Sequence, residues 1–357
     1  MRSPFMQKSF QSPTASTKVS SPNSAKSASP ASQYERIESN IGEGTYGKVH
    51  KARDVRTGQI VAIKKSKVSA ENLVEVGGIS FMVLREIKLM QAVRHQNVMA
   101  CLDVFADGGV LHLVMEFMDG DLKKVIENKE ITLAEAHVKC LSSQLLRGLA
   151  ALHSQCFLHR DVTPANVLLN YGSGIAKLTD FGTARIVSHK HRRLTPRCTT
   201  ECYRAPELFY GAKFYGTGVD VWSAGCVIAE LFLRCPLFQG HGEFGMLAKI
   251  FERRGTPTVE SWPEVSELPN YVEFTFHPEA PFSSLIPFAS ASSQCLLQKL
   301  LSLNPRHRPE CEEALRHEVF EEASPAPCEP HELPFLRRMV EVSPVTRKPV
   351  VMPEFMS

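Results

Sequence analysis

Eight consecutive residues, His159-Arg160-Asp161-Val162-Thr163-Pro164-Ala165-Asn166, restrict what this 357-residue chain can become more than any other stretch. They place an Asp five residues before an Asn, and 14 residues after that Asn comes Asp180-Phe181-Gly182. A hairpin of that length returns a second carboxylate beside Asn166, so that two oxygen-bearing side chains face one Mg²⁺, a hard cation that takes oxygen ligands. Before the stretch, residues 133–156 carry Val138, Leu141, Leu145, Leu149 and Leu152 at three-and-four spacing. That spacing predicts a buried helix leading directly into the loop.

The N-terminal part has a different period. Ile41-Gly42-Glu43-Gly44-Thr45-Tyr46-Gly47-Lys48-Val49 and Val61-Ala62-Ile63-Lys64 alternate apolar residues around a turn at Thr57-Gly58, the pattern of the first strands of a small antiparallel sheet. Gly42, Gly44 and Gly47 let a hairpin approach a phosphate chain closely, with backbone N–H groups pointing at it. Three spaced glycines alone are weak grounds for a phosphate site. A strand Lys 17 residues after Gly47 strengthens them, because Lys64 then reaches the α and β phosphates of a nucleotide. Residues 111–115 read as a further strand, and 116–120 as a short link whose backbone groups suit adenine.

Residues 77–90 project apolar side chains onto nearly every face of a helix: Ile79, Val83, Ile87 and Met90 form one stripe, while Phe81 and Leu84 point elsewhere. A surface helix needs only one such stripe. The surplus leaves two readings open, burial within the chain's own domain or coverage by a partner protein.

Composition sets outer limits. With 43% apolar residues the chain can build a core, and a net charge of +3, from 41 Lys+Arg against 38 Asp+Glu, gives no ground for direct nucleic-acid binding. No apolar run of membrane-spanning length is present, so no membrane partner is expected. Ten scattered cysteines without a CxxC pair fit a reducing compartment, here the nucleus and cytoplasm. Residues 1–33 hold ten Ser and four Ser-Pro pairs and read as a disordered tail, with the pairs as sites for proline-directed phosphorylation. Residues 321–357 carry seven prolines and read as a second tail without helical or strand period.

Taken together, the glycine hairpin, Lys64, Glu86, the 159–166 loop, Asp180-Phe181-Gly182 and Ala205-Pro206-Glu207 with Arg308 make residues 34–320 resemble a eukaryotic Ser/Thr protein kinase. More narrowly, Gly-Glu-Gly-Thr-Tyr-Gly at 42–47, Leu84-Arg85-Glu86-Ile87, Asp121-Leu122-Lys123-Lys124, Tyr203-Arg204-Ala205-Pro206-Glu207 and Gly255-Thr256-Pro257 are similar to the cyclin-dependent kinases. Tyr215-Gly216-Thr217-Gly218-Val219-Asp220-Val221-Trp222 is most similar to their CDK-activating branch, with the cell-cycle-related kinase branch second.

The resemblance implies an α+β bilobal fold with a small β-rich N-lobe (34–115), a hinge (116–120) and a larger helical C-lobe (121–320). It implies ATP and Mg²⁺ as cofactors, a protein substrate, and a cyclin bound through the helix 77–90. Asp161 would orient the substrate hydroxyl or act as its base, Lys64 would hold the α and β phosphates, Glu86 would hold Lys64, and Asn166 and Asp180 would hold Mg²⁺. Nucleotide contacts would come from Ile41, Gly42, Glu43, Gly44, Thr45, Tyr46, Gly47, Val49, Ala62, Lys64, Glu116, Met118, Asp121 and Leu168. Thr195 stands at the family's activating phosphorylation site, with Arg85, Arg160 and Arg185 as phosphate ligands, and Thr45 and Tyr46 at inhibitory ones.

Two features depart from the pattern. Thr163 replaces a catalytic-loop Lys, a loss of one preorganised charge contact that costs on the order of 3 kcal/mol, about a hundredfold in rate. An inactive or weak scaffold is therefore the alternative to an active kinase. Thr199 and Cys202 stand near the substrate groove where the family has Val and Trp, which puts Ser/Thr-Pro preference in question. His189, His191, Cys198 and Cys202 cluster, but H-x-H and C-x₃-C spacing does not match zinc patterns.

Overall fold

A computed structural model of the chain describes residues 30–44, 47–66, 81–107, 110–187, 193–196, 198–321 and 324–336. The alternating N-terminal residues form β1 (Tyr34–Gly44), β2 (Gly47–Asp54) and β3 (Ile60–Ser66), followed by α1 (Phe81–Ala92), β4 (Cys101–Asp107) and β5 (Val110–Glu116). The strands pair antiparallel in the order β1-β2-β3-β5-β4. Gly58, at φ +74°, makes the turn between β2 and β3, a conformation that costs glycine nothing.

Because side chains alternate across a strand, Val61 and Ile63 of β3 face one side of the sheet, and Ala62 and Lys64 the other. The first pair is buried with Ala52, Phe105 and Val114 in a small cluster of its own, against which Ala31 and Tyr34 pack. The opposite face is left to carry Lys64 toward the second lobe. Residues 30–33 thus belong to the folded part. They form a short 3-10 turn, and Gln33 O accepts from Val55 N at 2.9 Å.

The second lobe opens with β6 (Gly120–Asp121), α2 (Leu122–Glu127) and α3 (Glu135–Ser154), and a two-stranded pairing of β7 (Phe157–Leu158) with a later strand. After β8 (Val167–Leu169), β9 (Ala176–Leu178) and β10 (Arg185–Ile186), the partner of β7, the rest is helical: α4 (Pro206–Phe209), α5 (Gly218–Leu233), α6 (Gly242–Arg254), α7 (Phe282–Leu285), α8 (Ala291–Leu300), α9 (Cys311–Leu315) and α10 (Glu318–Glu321). The α3 stripe expected from spacing is buried, and the helix starts at Glu135 rather than 133. Helix α5, mostly apolar, is buried on every face from Val219 to Leu231 and sits in the middle of the lobe, with Trp222 stacked on Phe238 at 5.6 Å. Glu207 and Arg308 meet as a bidentate pair at 2.6 and 2.8 Å beneath Trp222, as the sequence implied.

One expectation changes. Residues 324–336 are not a structureless tail: Leu333 and Phe335 are buried in the main core. In the helix 77–90, Val83, Ile87 and Met90 of the expected stripe pack with Leu89 inside the protein's own core, and Leu84 is half-buried. Ile79 and the side chain of Phe81 lie outside the described residues. Among the described residues no helix is long and apolar enough to cross a membrane.

Candidate active site

Residues 159–166 are held from below by α5. Asp220, in its first turn and fully buried, accepts from His159 N at 2.8 Å and Arg160 N at 2.7 Å, and its Oδ2 lies 2.9 Å from His153 Nε2. Burial alone raises the Asp220 carboxyl, yet the contacts with His153, the charge of His159 and the Arg160 N–H together hold it below the usual range. These bonds offset an unfavourable backbone: Arg160 has φ +70°, which costs an L-residue roughly 1–2 kcal/mol. His159 adds a contact from Nε2 to Thr179 O at 2.9 Å and packs edge-on against Phe181. The loop therefore arrives with one orientation.

That orientation presents Asp161. Its Oδ1 accepts from Thr200 N at 3.1 Å and from Thr200 Oγ1 at 3.2 Å, while Asn166 Nδ2 donates to Asp161 Oδ2 at 3.2 Å and to Asp161 O at 2.8 Å. Sequence reasoning missed Thr200. Nothing local separates it from its neighbour Thr199, which had been placed at the substrate groove. Thr199 instead is buried, donates from Oγ1 to Arg160 O at 2.6 Å, and has its carbonyl covered by Arg204 Nη2 at 2.9 Å and Nε at 3.2 Å. Thr163 is buried and extended, its carbonyl accepting from Asn166 N at 3.0 Å. No Lys or Arg forms an ion pair with Asp161 among the described residues; of two lysines that could replace the lost charge, Lys48 is exposed and Lys190 lies outside the described residues.

The expected β8–β9 hairpin forms, with Val167 opposite Leu178, and Thr179 N donates to Asn166 O at 3.0 Å. Asn166 and Asp180 therefore flank its open end. Asp180 sits in the left-handed region (φ 60°, ψ 71°), its Oδ1 buried, without a hydrogen-bond donor, and 3.8 Å from Lys64 Nζ. Lys64 Nζ also donates to Glu86 Oε1 at 2.7 Å. Burial pushes the Glu86 carboxyl up, against the pull of Lys64. A buried carboxylate oxygen lacking a donor, next to an Asn whose nitrogen is already engaged, is a donor set that fits Mg²⁺ with phosphate oxygens completing the coordination.

Around this centre the residues expected to contact a nucleotide fall into groups. Gly42 pairs with Val49 and Gly44 with Gly47 across the β1–β2 hairpin. Its tip, Thr45 and Tyr46, and the side chain of Glu43 lie outside the described residues. Ile41, Val49, Met118 and Leu168 are half-buried and Ala62 is buried, a set of apolar walls. Two acidic side chains have other engagements: Glu116 pairs with Lys177 at 2.8 Å, and Asp121 caps α2 through Lys124 N at 2.9 Å.

In residues 180–207, the activation segment that the resemblance implies, Thr195 is exposed, and its carbonyl accepts from Tyr215 Oη at 2.7 Å. Arg160 is buried with Nε and Nη1 unsatisfied among the described residues. Arg185 Nη1 donates to Ala184 O at 2.9 Å. His189, His191, Arg192 and Arg197 lie outside the described residues, and among those described no group of three or more His, Cys, Asp or Glu could hold a metal.

Comparison with known proteins agrees with this geometry. Residues 35–320 match the family model for the protein kinase domain. Cyclin-dependent kinase 7 of Dictyostelium discoideum is 46% identical over 285 residues, covering 80% of this chain and 79% of that protein. Cyclin-dependent kinase 7 of Caenorhabditis elegans is 40% identical, over 86% of this chain and 92% of its own length. Among solved structures, a chain of the CAK complex from Chaetomium thermophilum bound to ATP-gamma-S superposes with a TM-score of 0.79 at 33% identity, covering 85% of this chain and 95% of that one.

Proposed function

Because the chain belongs to the protein kinase family, and within it to the cyclin-dependent kinases, we infer that it transfers the γ-phosphoryl group of ATP to Ser or Thr hydroxyls of protein substrates. The observation that carries this reading is the setting of Asp161: Thr200 and Asn166 hold its two carboxylate oxygens. The carboxylate is thereby oriented to take or align the hydroxyl proton without help from position 163. Lys64, fixed by Glu86, holds the α and β phosphates, and Asn166 and Asp180 hold Mg²⁺. When bound, Mg²⁺ neutralises phosphate charge.

Thr163 favours a second reading, a scaffold that binds ATP or a cyclin with little transfer. The decisive measurement is phosphoryl transfer from MgATP to a protein substrate by wild type, Asp161→Asn and Thr163→Lys. Transfer by wild type that Asp161→Asn abolishes supports the enzyme; transfer by Thr163→Lys alone supports the scaffold.

Regulation follows from two surfaces. The names of the relatives, cyclin-dependent kinases, support a cyclin partner, which we assign to the helix 77–90; activity indifferent to every candidate cyclin would contradict that assignment. The second is Thr195, where a phosphate of about −1.5 to −2 charge would meet the unsatisfied guanidinium nitrogens of Arg160, with Arg85 and Arg185 as its other ligands. Thr195→Ala is expected to remove activation by an activating kinase. All ten cysteines are unpaired, which supports a nuclear and cytoplasmic location.

A further inference from the structure

Residues 324–336 run along α3 and end against the link between the lobes. Lys139, buried on α3, donates from Nζ to Pro325 O at 2.9 Å, and Cys328 N donates to Ala136 O at 3.1 Å. Farther on, Gly174 in the β8–β9 turn (φ +72°) leaves no space for a side chain, since a Cβ there would fall 1.8 Å from Pro330 O. Past a 3-10 turn at Pro330–Glu332 the chain buries Leu333 and Phe335, which are 1% and 0% exposed.

The Phe335 ring does more than fill the core. Its centroid lies 5.5 Å from that of Tyr171, and the far end of Tyr171 lies over Gly120, where an added Cβ would come within 2.0 Å of the phenol oxygen. The backbone on both sides is tied to the same place. Tyr171 N donates to Asp119 Oδ2 at 2.8 Å, Asp119 N donates to Leu169 O at 2.9 Å, and β6 sets Gly120 opposite Leu169 and Asp121 opposite Leu168. Contacts therefore run unbroken from Phe335 through Tyr171 to Gly120, within the segment 118–121 that faces the nucleotide. This segment has only a two-residue strand of its own, so its position depends on what is packed behind it.

We propose that residues 324–336 brace the nucleotide site, with Phe335 and Tyr171 as positioning residues that hold Met118, Asp121 and Leu168 for ATP. The proposal rests on the kinase reading above. Without the Phe335 ring, Tyr171 collapses into the cavity left behind, and the Gly120 backbone loses the surface it lies on.

The test is steady-state kinetics on the full chain, with MgATP and protein substrate varied in turn, together with calorimetric binding of MgADP. Phe335→Ala is expected to raise the KM for ATP and weaken MgADP binding about fivefold, with kcat and the KM for protein substrate within about twofold, and Phe335→Leu to restore most of the loss. If Phe335→Ala fails to fold, Gly120→Ala, which displaces Tyr171 from its other end, is measured in the same way and must also raise the KM for ATP. A purely structural role lowers the active fraction and leaves the KM for ATP where it was; that result in either folded variant overturns the brace. Wild-type protein that binds no MgATP or MgADP overturns the kinase reading and the brace with it, whereas a normal wild type alongside unaltered variants overturns the brace alone.

Discussion

The catalytic loop and the activation segment both reach Asp161, but they are built in opposite ways. The loop is buried at His159, Arg160, Val162 and Thr163 and tied through Asp220 to the most apolar helix of the protein. The segment reaches the same carboxylate through Thr200, an exposed residue, and at the exposed Thr195 it is held by a single hydrogen bond, Tyr215 Oη to Thr195 O at 2.7 Å. Burial makes the first arrangement a property of the folded lobe. Surface hydrogen bonds, for which water competes, make the second one adjustable. Under the proposed switch, a phosphate at Thr195 would therefore act on the adjustable segment and reach the buried loop through the Arg160 side chain.

The strongest way to break this comparison is at their meeting point. Asp161→Asn keeps the shape of the side chain, so turnover should fall about a thousandfold while the melting temperature stays within a degree or two of wild type, as read by kinetics and thermal unfolding. A loss of stability as large as the loss of rate would show that the loop is not independently held. Next comes Asp220→Ala, which leaves the His159 and Arg160 amides buried without an acceptor and should cost about 3 kcal/mol in urea unfolding.

The pH dependence of that loss sharpens the point. Burial alone would raise the Asp220 carboxyl, but His153, His159 and the Arg160 N–H outweigh it and depress the folded value. Its contribution is therefore present above the unfolded carboxyl value, about pH 4, and disappears as pH falls through the lower folded value. The stability gap between wild type and Asp220→Asn should narrow on acidification; a gap constant down to pH 3 would contradict this assignment.

Smaller effects are expected on the exposed side. Thr200→Val removes the hydroxyl donor but keeps the backbone N–H on Asp161, and kcat should drop about tenfold with stability unchanged. Thr163→Lys introduces the missing cation beside a carboxylate that is already oriented, so the gain in kcat should be below tenfold, less than a full charge contact supplies elsewhere. A gain of a hundredfold or more would mean that Thr200 and Asn166 do not orient Asp161 by themselves.

Much of the fold was legible because its signals are local. The hairpin glycines, the α3 stripe, the Asn166-to-Asp180 spacing and the Glu207–Arg308 pairing each depend on residue type and separation along the chain. What was illegible depends on who lies opposite. Thr199 and Thr200 are the same residue side by side, and only the path of the segment sends one inward to Arg160 O and the other to Asp161. Residues 324–336 looked like a tail because proline-rich sequence has no period, and their burial comes from fitting a groove made by α3 and the β8–β9 turn. At 77–90, helical projection places Val83, Ile87 and Met90 on one face but cannot say that this face meets the protein's own core.

By itself the sequence determined the lobes, the hairpins and the set of groups available for phosphoryl transfer, since those follow from periodicity, turn chemistry and spacing. Tertiary structure alone decided that Thr200 reaches Asp161, that Asp220 sustains a left-handed Arg160, and that Phe335 packs on Tyr171, whose far end lies over Gly120. Each of these joins residues far apart in the chain, and hydrogen bonds and packing act across space, where sequence separation carries no information.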